Sequence, residues 1–366
     1  MTTTRLILVG GFLGAGKTTL LWEAARQITE SGKRIGLITN DQAPELVDTA
    51  LLLRNDVKVA EVSGSCFCCN FDGLIDALKQ LRDEANADVI IAEPVGSCTD
   101  LSATILQPLK QNLSGELVIS PLSVMADPIR LTDMLNGGNA GLHPSAAYIF
   151  RKQLEESDII LISKTDLISP EELVLLKEKV KLHFPDSDVM TISSASGEGM
   201  GEWLTKVQNC NEGGKRLVEV DYDIYAEGEA ALGWLNSTIE LSGNLVDWDA
   251  FARELMQNLS HQFDSLNASV GHVKILIESG ENYLVSNLTG LNDSLTFRSS
   301  AGISSKARLT INARVEMSPE LLESVVRRIL YATEGKSIRK KIVALRCLSP
   351  GRPRPTFRFD KVVPIY

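Results

Sequence analysis

Gly11-Phe-Leu-Gly14-Ala-Gly16-Lys17-Thr18 satisfies G-x-x-x-x-G-K-[ST], and it lies between an apolar run, Leu6–Val9, and a helical run that opens at Lys17. A loop in this setting lets backbone N–H groups close round phosphates at the positive end of a helix. It commits the first part of the chain to a strand–loop–helix unit of a mainly parallel sheet. Lys17 is expected to reach the β- and γ-phosphates of a nucleoside triphosphate and the Thr18 hydroxyl to ligate Mg2+. Gly11, Gly14, Ala15, Gly16 and Thr19 complete the binding loop.

The first two hundred residues repeat the pattern, with β-rich runs at 5–9, 34–39, 58–62, 89–92, 117–125, 159–163 and 188–192. Helices are expected at 17–30, 71–84 and 170–183, the last with Ser169 as N-cap and Pro170 in its first turn. Such alternation predicts an α/β domain over residues 1–210. Asn211-Glu-Gly-Gly-Lys-Arg216 reads as a linker. Strand-like runs at 217–225, 230–241, 271–278, 283–287 and 307–315, with helices at 248–263 and 319–331, then predict a smaller α+β domain of ferredoxin-like kind over 217–335. Residues 336–366 form a tail with Lys and Arg among prolines, read as an extended surface segment or as a docking or anion-binding one.

The net charge of −10 argues against a general nucleic-acid binder, which needs a basic footprint. No apolar run approaches the ~18 residues that span a bilayer, and the start of the chain lacks the apolar region of a signal peptide. A cytoplasmic protein with reduced cysteines is therefore expected.

Two further acids bear on the magnesium. Asp88-Val-Ile-Ile-Ala-Glu93 ends an apolar strand in an acid, and Pro94-Val-Gly96 brings a glycine to where the γ-phosphate would lie. Glu93 either binds Mg2+ or positions the attacking water, and Asp41 is a second candidate for the magnesium shell. Lys17, Glu93 and Gly96 are the catalytic candidates. Base choice rests on Ser163-Lys164-Thr165-Asp166 after another apolar strand. Asp166 can accept N1–H and N2–H of guanine while the Lys164 stem lies along the ring. Ser163 stands where an Asn is usual, and Ser194 or Ala195 can reach the guanine O6.

Cys66-Phe67-Cys68-Cys69 places three of the six cysteines within four residues. Thiolates select Zn2+, Cu+ or similar ions, and Zn2+ takes four tetrahedral ligands. The fourth would come from Glu45, Glu61 or Cys98. Redox sensing and a structural role are the alternatives.

With these motifs in order over residues 5–210, and with Asn40, Asp48 and Asp127 also matching, the chain resembles the CobW/HypB/UreG family of GTPases, most closely its CobW-like branch. The resemblance implies GTP hydrolysis coupled to delivery of a transition metal (Zn2+ or Co2+), or of a metal cofactor such as a corrinoid, to a client metalloenzyme. It also implies a nucleotide-dependent homodimer. Alternatives of other classes are a P-loop small-molecule kinase and a nucleotide-gated scaffold without turnover. The histidines, at 143, 183, 261 and 272, are dispersed and do not form a metal-storage tract.

Overall fold

The computed structural model describes residues 3–41, 47, 57–290, 295–334 and 337–364. Strand β1 (Thr4–Gly11) is buried along nearly its whole length, as its unbroken apolar run requires of a parallel strand covered on both faces. It runs into the phosphate-loop sequence and helix α1 (Lys17–Glu30), which buries Leu20, Leu21, Ala24, Ala25 and Ile28 on one face. Strands β2 (Ile35–Asp41), β3 (Lys58–Ser63) and β4 (Val89–Glu93) lie to one side of β1. Strands β5 (Leu117–Ile119), β6 (Ser123–Ala126), β7 (Ile159–Ile162) and β8 (Asp188–Thr191) lie to the other. The order is β3-β2-β4-β1-β6-β7-β8, with β5 pairing along the start of β1, and every pairing is parallel.

Two expectations are corrected. The run 117–125 is two strands, because Pro121 has no N–H to continue a ladder. Residues 217–225 are not a strand. Residues 217–220 belong to no helix or strand, and Asp221 then accepts from the N–H groups of Asp223 and Ile224, capping a helix at Tyr222–Ala230. That helix packs on the helix Pro144–Glu156: a Cβ on Gly228 would lie 2.4 Å from the Ser145 carbonyl oxygen. Ser169 caps its helix as the sequence predicts, and Glu172 completes a capping box with it. Four helices were missed, at Gln107–Asn112, Pro128–Leu135, Pro144–Glu156 and Met200–Asn209.

A second sheet holds β9 (Gly233–Asp247), β10 (Val270–Ser279), β11 (Asn282–Leu288), β12 (Thr296–Ser300), β13 (Ile303–Val315) and β14 (Arg339–Leu348) in the order β12-β11-β10-β13-β9-β14, all antiparallel. The helices Trp248–Ser265 and Pro319–Ala332 complete a β-α-β-β-α-β unit of ferredoxin-like type into which the β11–β12 hairpin is inserted. Within the expected tail, 336–366, residues 339–348 thus form an edge strand along β9.

Alternation along β10 decides what this sheet does. Val273, Ile275 and Ile277 pack into the core shared with the two helices. His272 and Lys274 point the other way and line a cavity together with the Gly14–Thr19 loop. Leu276 on that second face joins Val285 and Val47 in a small apolar cluster, and the Val47 N–H donates to Asn312 Oδ1 at 2.8 Å. The helix-free face of the second sheet therefore lies against the loops at the C-terminal ends of the first sheet's strands.

Candidate nucleotide and thiol sites

The cavity has a volume of about 430 Å3, within the range of small-molecule sites. It brings together Gly14, Ala15, Gly16, Lys17, Thr18 and Thr19 with Glu93 and Gly96. Lys17 Nζ donates to the Gly11 carbonyl at 2.7 Å and lies 3.8 Å from Glu93 Oε1. Thr18 Oγ1 is 3.4 Å from Glu93 Oε2. Gly96 is where a side chain has no room: a Cβ would stand 2.7 Å from Leu13 and 3.0 Å from Lys17 Nζ. The residues expected to meet Mg2+ and the γ-phosphate thus converge, apart from Asp41. Its backbone ends β2 opposite Ser63, while its side chain lies outside the described residues, as do Glu45 and Asp48.

At the other end of the cavity are Ser163, Lys164, Asp166, Ser194 and Ala195. Lys164 has φ +52°, and its ammonium pairs with Asp127 Oδ2 at 2.7 Å. Asp166 Oδ1 accepts from the Ser193 hydroxyl at 2.5 Å. The Ser163 hydroxyl is turned inward to the Ala126 carbonyl.

The second sheet supplies residues that the sequence did not announce. Lys274 Nζ donates to Thr18 Oγ1 at 3.2 Å, Arg298 reaches Thr19 Oγ1 at 3.4 Å, and Thr289 Oγ1 accepts from Lys164 at 3.4 Å. A Cβ on Gly14 would meet Thr289 Cγ2 at 2.7 Å. The alternation of β10 is a signal for Lys274, but only once its partner is known.

The three clustered cysteines follow β3 in a turn where the Cys66 carbonyl accepts from the N–H groups of Cys69 and Asn70. Asn40, at the end of β2, staples this turn: its amide donates to the carbonyls of Val62 and Ser65, and its oxygen accepts from Phe67 N–H. The sulfurs of Cys66, Cys68 and Cys69 lie within 4.8 Å of one another. Cys66 to Cys68 is 3.1 Å and Cys68 to Cys69 is 3.8 Å. Tetrahedral ligation with ~2.3 Å zinc–sulfur bonds separates sulfurs by about 3.8 Å, so the set fits such an ion with one pair opening slightly.

Hydrogen bonds from Cys68, and then from Cys69 and Cys98, hold the Cys66 thiol well below its usual range. The same contacts push Cys68 and Cys98 up, and Cys69 up to about 11 through Cys66. The contacts thus favour one thiolate among these four cysteines over several. Cys98 is buried and acts on these thiols without being one of the three sulfurs within 4.8 Å, and Glu61 is exposed on β3 and also outside that group. Among the described residues no histidine belongs to it.

The tail closes over this site: Thr356 N–H donates to the Cys68 carbonyl at 2.8 Å and Arg354 N–H to Cys69 Sγ at 3.2 Å. Phe357 packs edge-on to Phe71, and Arg358 pairs with the buried Asp100 at 2.7 Å.

The segment between the two sites is fixed by Gln153, whose amide donates to the carbonyls of Gly96 and Cys98 at 3.0 and 2.7 Å. Glu156 holds the next residues, accepting from Thr99 Oγ1 and Ser102 N–H. Burial pushes its carboxyl from 4.5 to about 8. Because the folded value lies above the unfolded one, its contribution to stability is complete below about pH 4.5 and is lost as the pH rises through 8. Glu156→Gln is expected to be more stable than wild type by a few kcal/mol near pH 9 and about equal to it near pH 4.5. Thermal melts across that range check it; a difference independent of pH would contradict it.

A parallel sheet carrying a glycine-rich loop into its first helix, with an acid at the end of a neighbouring strand, defines a P-loop nucleotide-binding domain. The chain belongs to the CobW/HypB/UreG family, whose nucleotide-binding domain model matches residues 5–190. It is similar to the zinc chaperone YeiR of Escherichia coli, with 29% identity over 46% of this chain and 48% of that protein. It is also similar to the zinc chaperone CobW of a Sinorhizobium species, with 26% identity over 52% and 59%. The zinc-regulated GTPase metalloprotein activator 1 of Dictyostelium discoideum is 24% identical over 50% and 44%. The chain spans about half the length of the curated relatives it matches. Among solved structures, Zn(II)-bound YjiA GTPase from E. coli overlays with a TM-score of 0.36 at 17% identity over 90% of this chain and 99% of that one. HypB from Helicobacter pylori in complex with nickel gives 0.40 at 17% over 56% and 85%. No helix among the described residues is long and apolar enough to cross a membrane.

Proposed function

We propose that this protein is a GTP-hydrolysing metallochaperone, in which nucleotide state governs a transition-metal ion, Zn2+ or Co2+, held by the thiols and passed to a client metalloprotein. The observation that carries the reading is the segment from Glu93 to Cys98. At one end Glu93 and Gly96 stand beside Thr18 and Lys17, and at the other lies the buried Cys98, whose thiol is shifted first by Cys66 and then by Cys68. A second link runs through Asn40, which holds the cysteine turn one residue before Asp41.

In this reading Lys17 and the loop N–H groups bind the β- and γ-phosphates. Gly96 offers its N–H to the γ-phosphate, and Glu93 acts on the magnesium or the attacking water. Mg2+ held by Thr18, with Asp41 or Glu93 near it, would spread the charge on the transferring group. Asp166 reads guanine, with Lys164 against the ring and Ser194 or Ala195 at O6. A shift of the 93–98 segment on hydrolysis would move Cys98 and change the thiol geometry. The relatives named as zinc chaperones support the choice of cargo. Action in the cytoplasm and a nucleotide-dependent homodimer complete the reading.

The test is linkage. Co2+ and Zn2+ affinities are measured with GDP and with a non-hydrolysable GTP analogue bound, and nucleotide affinities with and without metal. The expected coupling is about fivefold or more and equal in both directions. Metal affinities identical in the two nucleotide states would overturn the coupling. Phosphate release from GTP and ATP, measured in the same preparation, tests turnover and base choice.

A further inference from the structure

Lys274 lies 256 residues beyond Thr18 in sequence, on a strand that packing seats directly on the phosphate loop. The approach leaves little room for a side chain on either element. A Cβ on Gly14, at φ +81°, would stand 3.1 Å from the Gly271 carbonyl oxygen, and one on Gly271 would stand 3.0 Å from Leu13 Cδ1. Three residues further on, Lys274 is paired on both edges, opposite Asn287 of β11 and Asn312 of β13. The ladders hold its backbone, and its half-buried side chain enters the cavity. There Nζ donates to Thr18 Oγ1 at 3.2 Å, and Thr18 Oγ1 is 3.4 Å from Glu93 Oε2. Lys17 flanks the other oxygen of that carboxylate at 3.8 Å.

The charge of the lining points the same way. Among the described residues, the first domain contributes Lys17 and Lys164 against Glu93 and Asp166, which balance. The second sheet adds Lys274, Arg298 and Arg314 and no carboxylate. Arg298 lies beside the same loop, 3.4 Å from Thr19 Oγ1. The positive excess is felt at His272 on the cavity wall: burial, and then the charges of Lys274 and Arg314, push its imidazole well below the usual range. A cleft with more fixed cations than anions favours a polyanion. The hydroxyl that Lys274 meets is the one expected to hold Mg2+, and that ion bridges the β- and γ-phosphates. Glu93 and Gly96, beside Thr18 and Lys17, mark the γ-phosphate end. We propose that Lys274 binds the γ-phosphate of the bound nucleotide, so that the second sheet is part of the triphosphate site. This rests on the reading of the cavity as a GTP site. It also gives the second domain a contact that depends on nucleotide state: hydrolysis removes the phosphate ligand of Lys274 and leaves Thr18.

The experiment compares the full chain with Lys274→Ala and Lys274→Arg, and measures by titration calorimetry the affinities of GDP and of a non-hydrolysable GTP analogue. Lys274→Ala is expected to weaken the analogue by about tenfold or more, the cost of a charge-assisted hydrogen bond, and GDP by no more than about twofold. Lys274→Arg is expected to recover part of the analogue's affinity, because the charge returns. An unchanged preference for the analogue over GDP in Lys274→Ala overturns the inference. Failure of wild type to bind either nucleotide would instead overturn the GTP reading itself. A structure of the wild-type protein with Mg2+ and the analogue is independent of how the variants fold. Lys274 Nζ within hydrogen-bonding distance of a γ-phosphate oxygen is expected there, and an ammonium turned away from the phosphates overturns the assignment.

Discussion

Cys66→Ser is expected to bind Zn2+ more than about a hundredfold more weakly than wild type, beyond the 10- to 100-fold that loss of an outer-shell partner costs. Hydrogen bonds from Cys68, and then from Cys69 and Cys98, hold the Cys66 thiol below its usual range. The thiolate is the ligating form, so this position starts the site, and a serine hydroxyl would have to lose a far less acidic proton to replace it. The turn itself should survive, because its bonds run from the Cys66 carbonyl to the N–H groups of Cys69 and Asn70. Competition against a chromophoric chelator, with circular dichroism to confirm the fold, measures the loss. Wild-type affinity in the variant would remove the cluster from the metal reading.

Lys17→Ala is expected to lower the rate of phosphate release from bound GTP by about 10²–10³, the effect of removing one preorganised charge-stabilising donor. The ammonium is anchored on the Gly11 carbonyl and faces Gly96 and Glu93, so it is already aimed where charge builds on the transferring phosphoryl group. Single-turnover hydrolysis at saturating nucleotide separates this from weaker binding. A variant that turned over like wild type would show that hydrolysis, where observed, does not use this loop.

Local chemistry explains why so much of the nucleotide site was legible. A strand of unbroken apolar residues followed by spaced glycines and Lys-Thr has one common solution, and β1, the loop and α1 form it. Glu93 ends the short apolar strand β4 and Asp166 follows the end of β7 by four residues, and strand ends of a parallel sheet share one edge. The cysteine cluster was legible because its members are adjacent. Glu61 was misjudged as a possible ligand because a period of two along β3 leaves it on the solvent face, which proximity in sequence does not reveal.

Elsewhere the misses share a cause. Residues 217–225 looked like a strand from their branched and aromatic side chains, but the Asp221 cap and the packing of Gly228 on Ser145 favour a helix. Pro121 ended a strand that hydropathy alone continued. The edge strand at 339–348 has a mixed, basic pattern because only one of its neighbours, β9, pairs with it.

By itself, the sequence determined the phosphate loop, the acid and glycine that face it, the aspartate beyond the end of β7, and a cluster of thiols within four residues. The loop and the cysteine cluster are local in sequence, while Glu93, Gly96 and Asp166 could be placed because the ends of parallel strands share one edge of the sheet. The tertiary structure decided that the second sheet turns Lys274 and Arg298 onto the loop threonines, and that Asn40 and Gln153 join the two sites. It also decided that the buried Glu229 accepts from Ser97, the neighbour of Cys98. Those relations link residues tens to hundreds of positions apart, and they exist only once packing has closed the chain on itself.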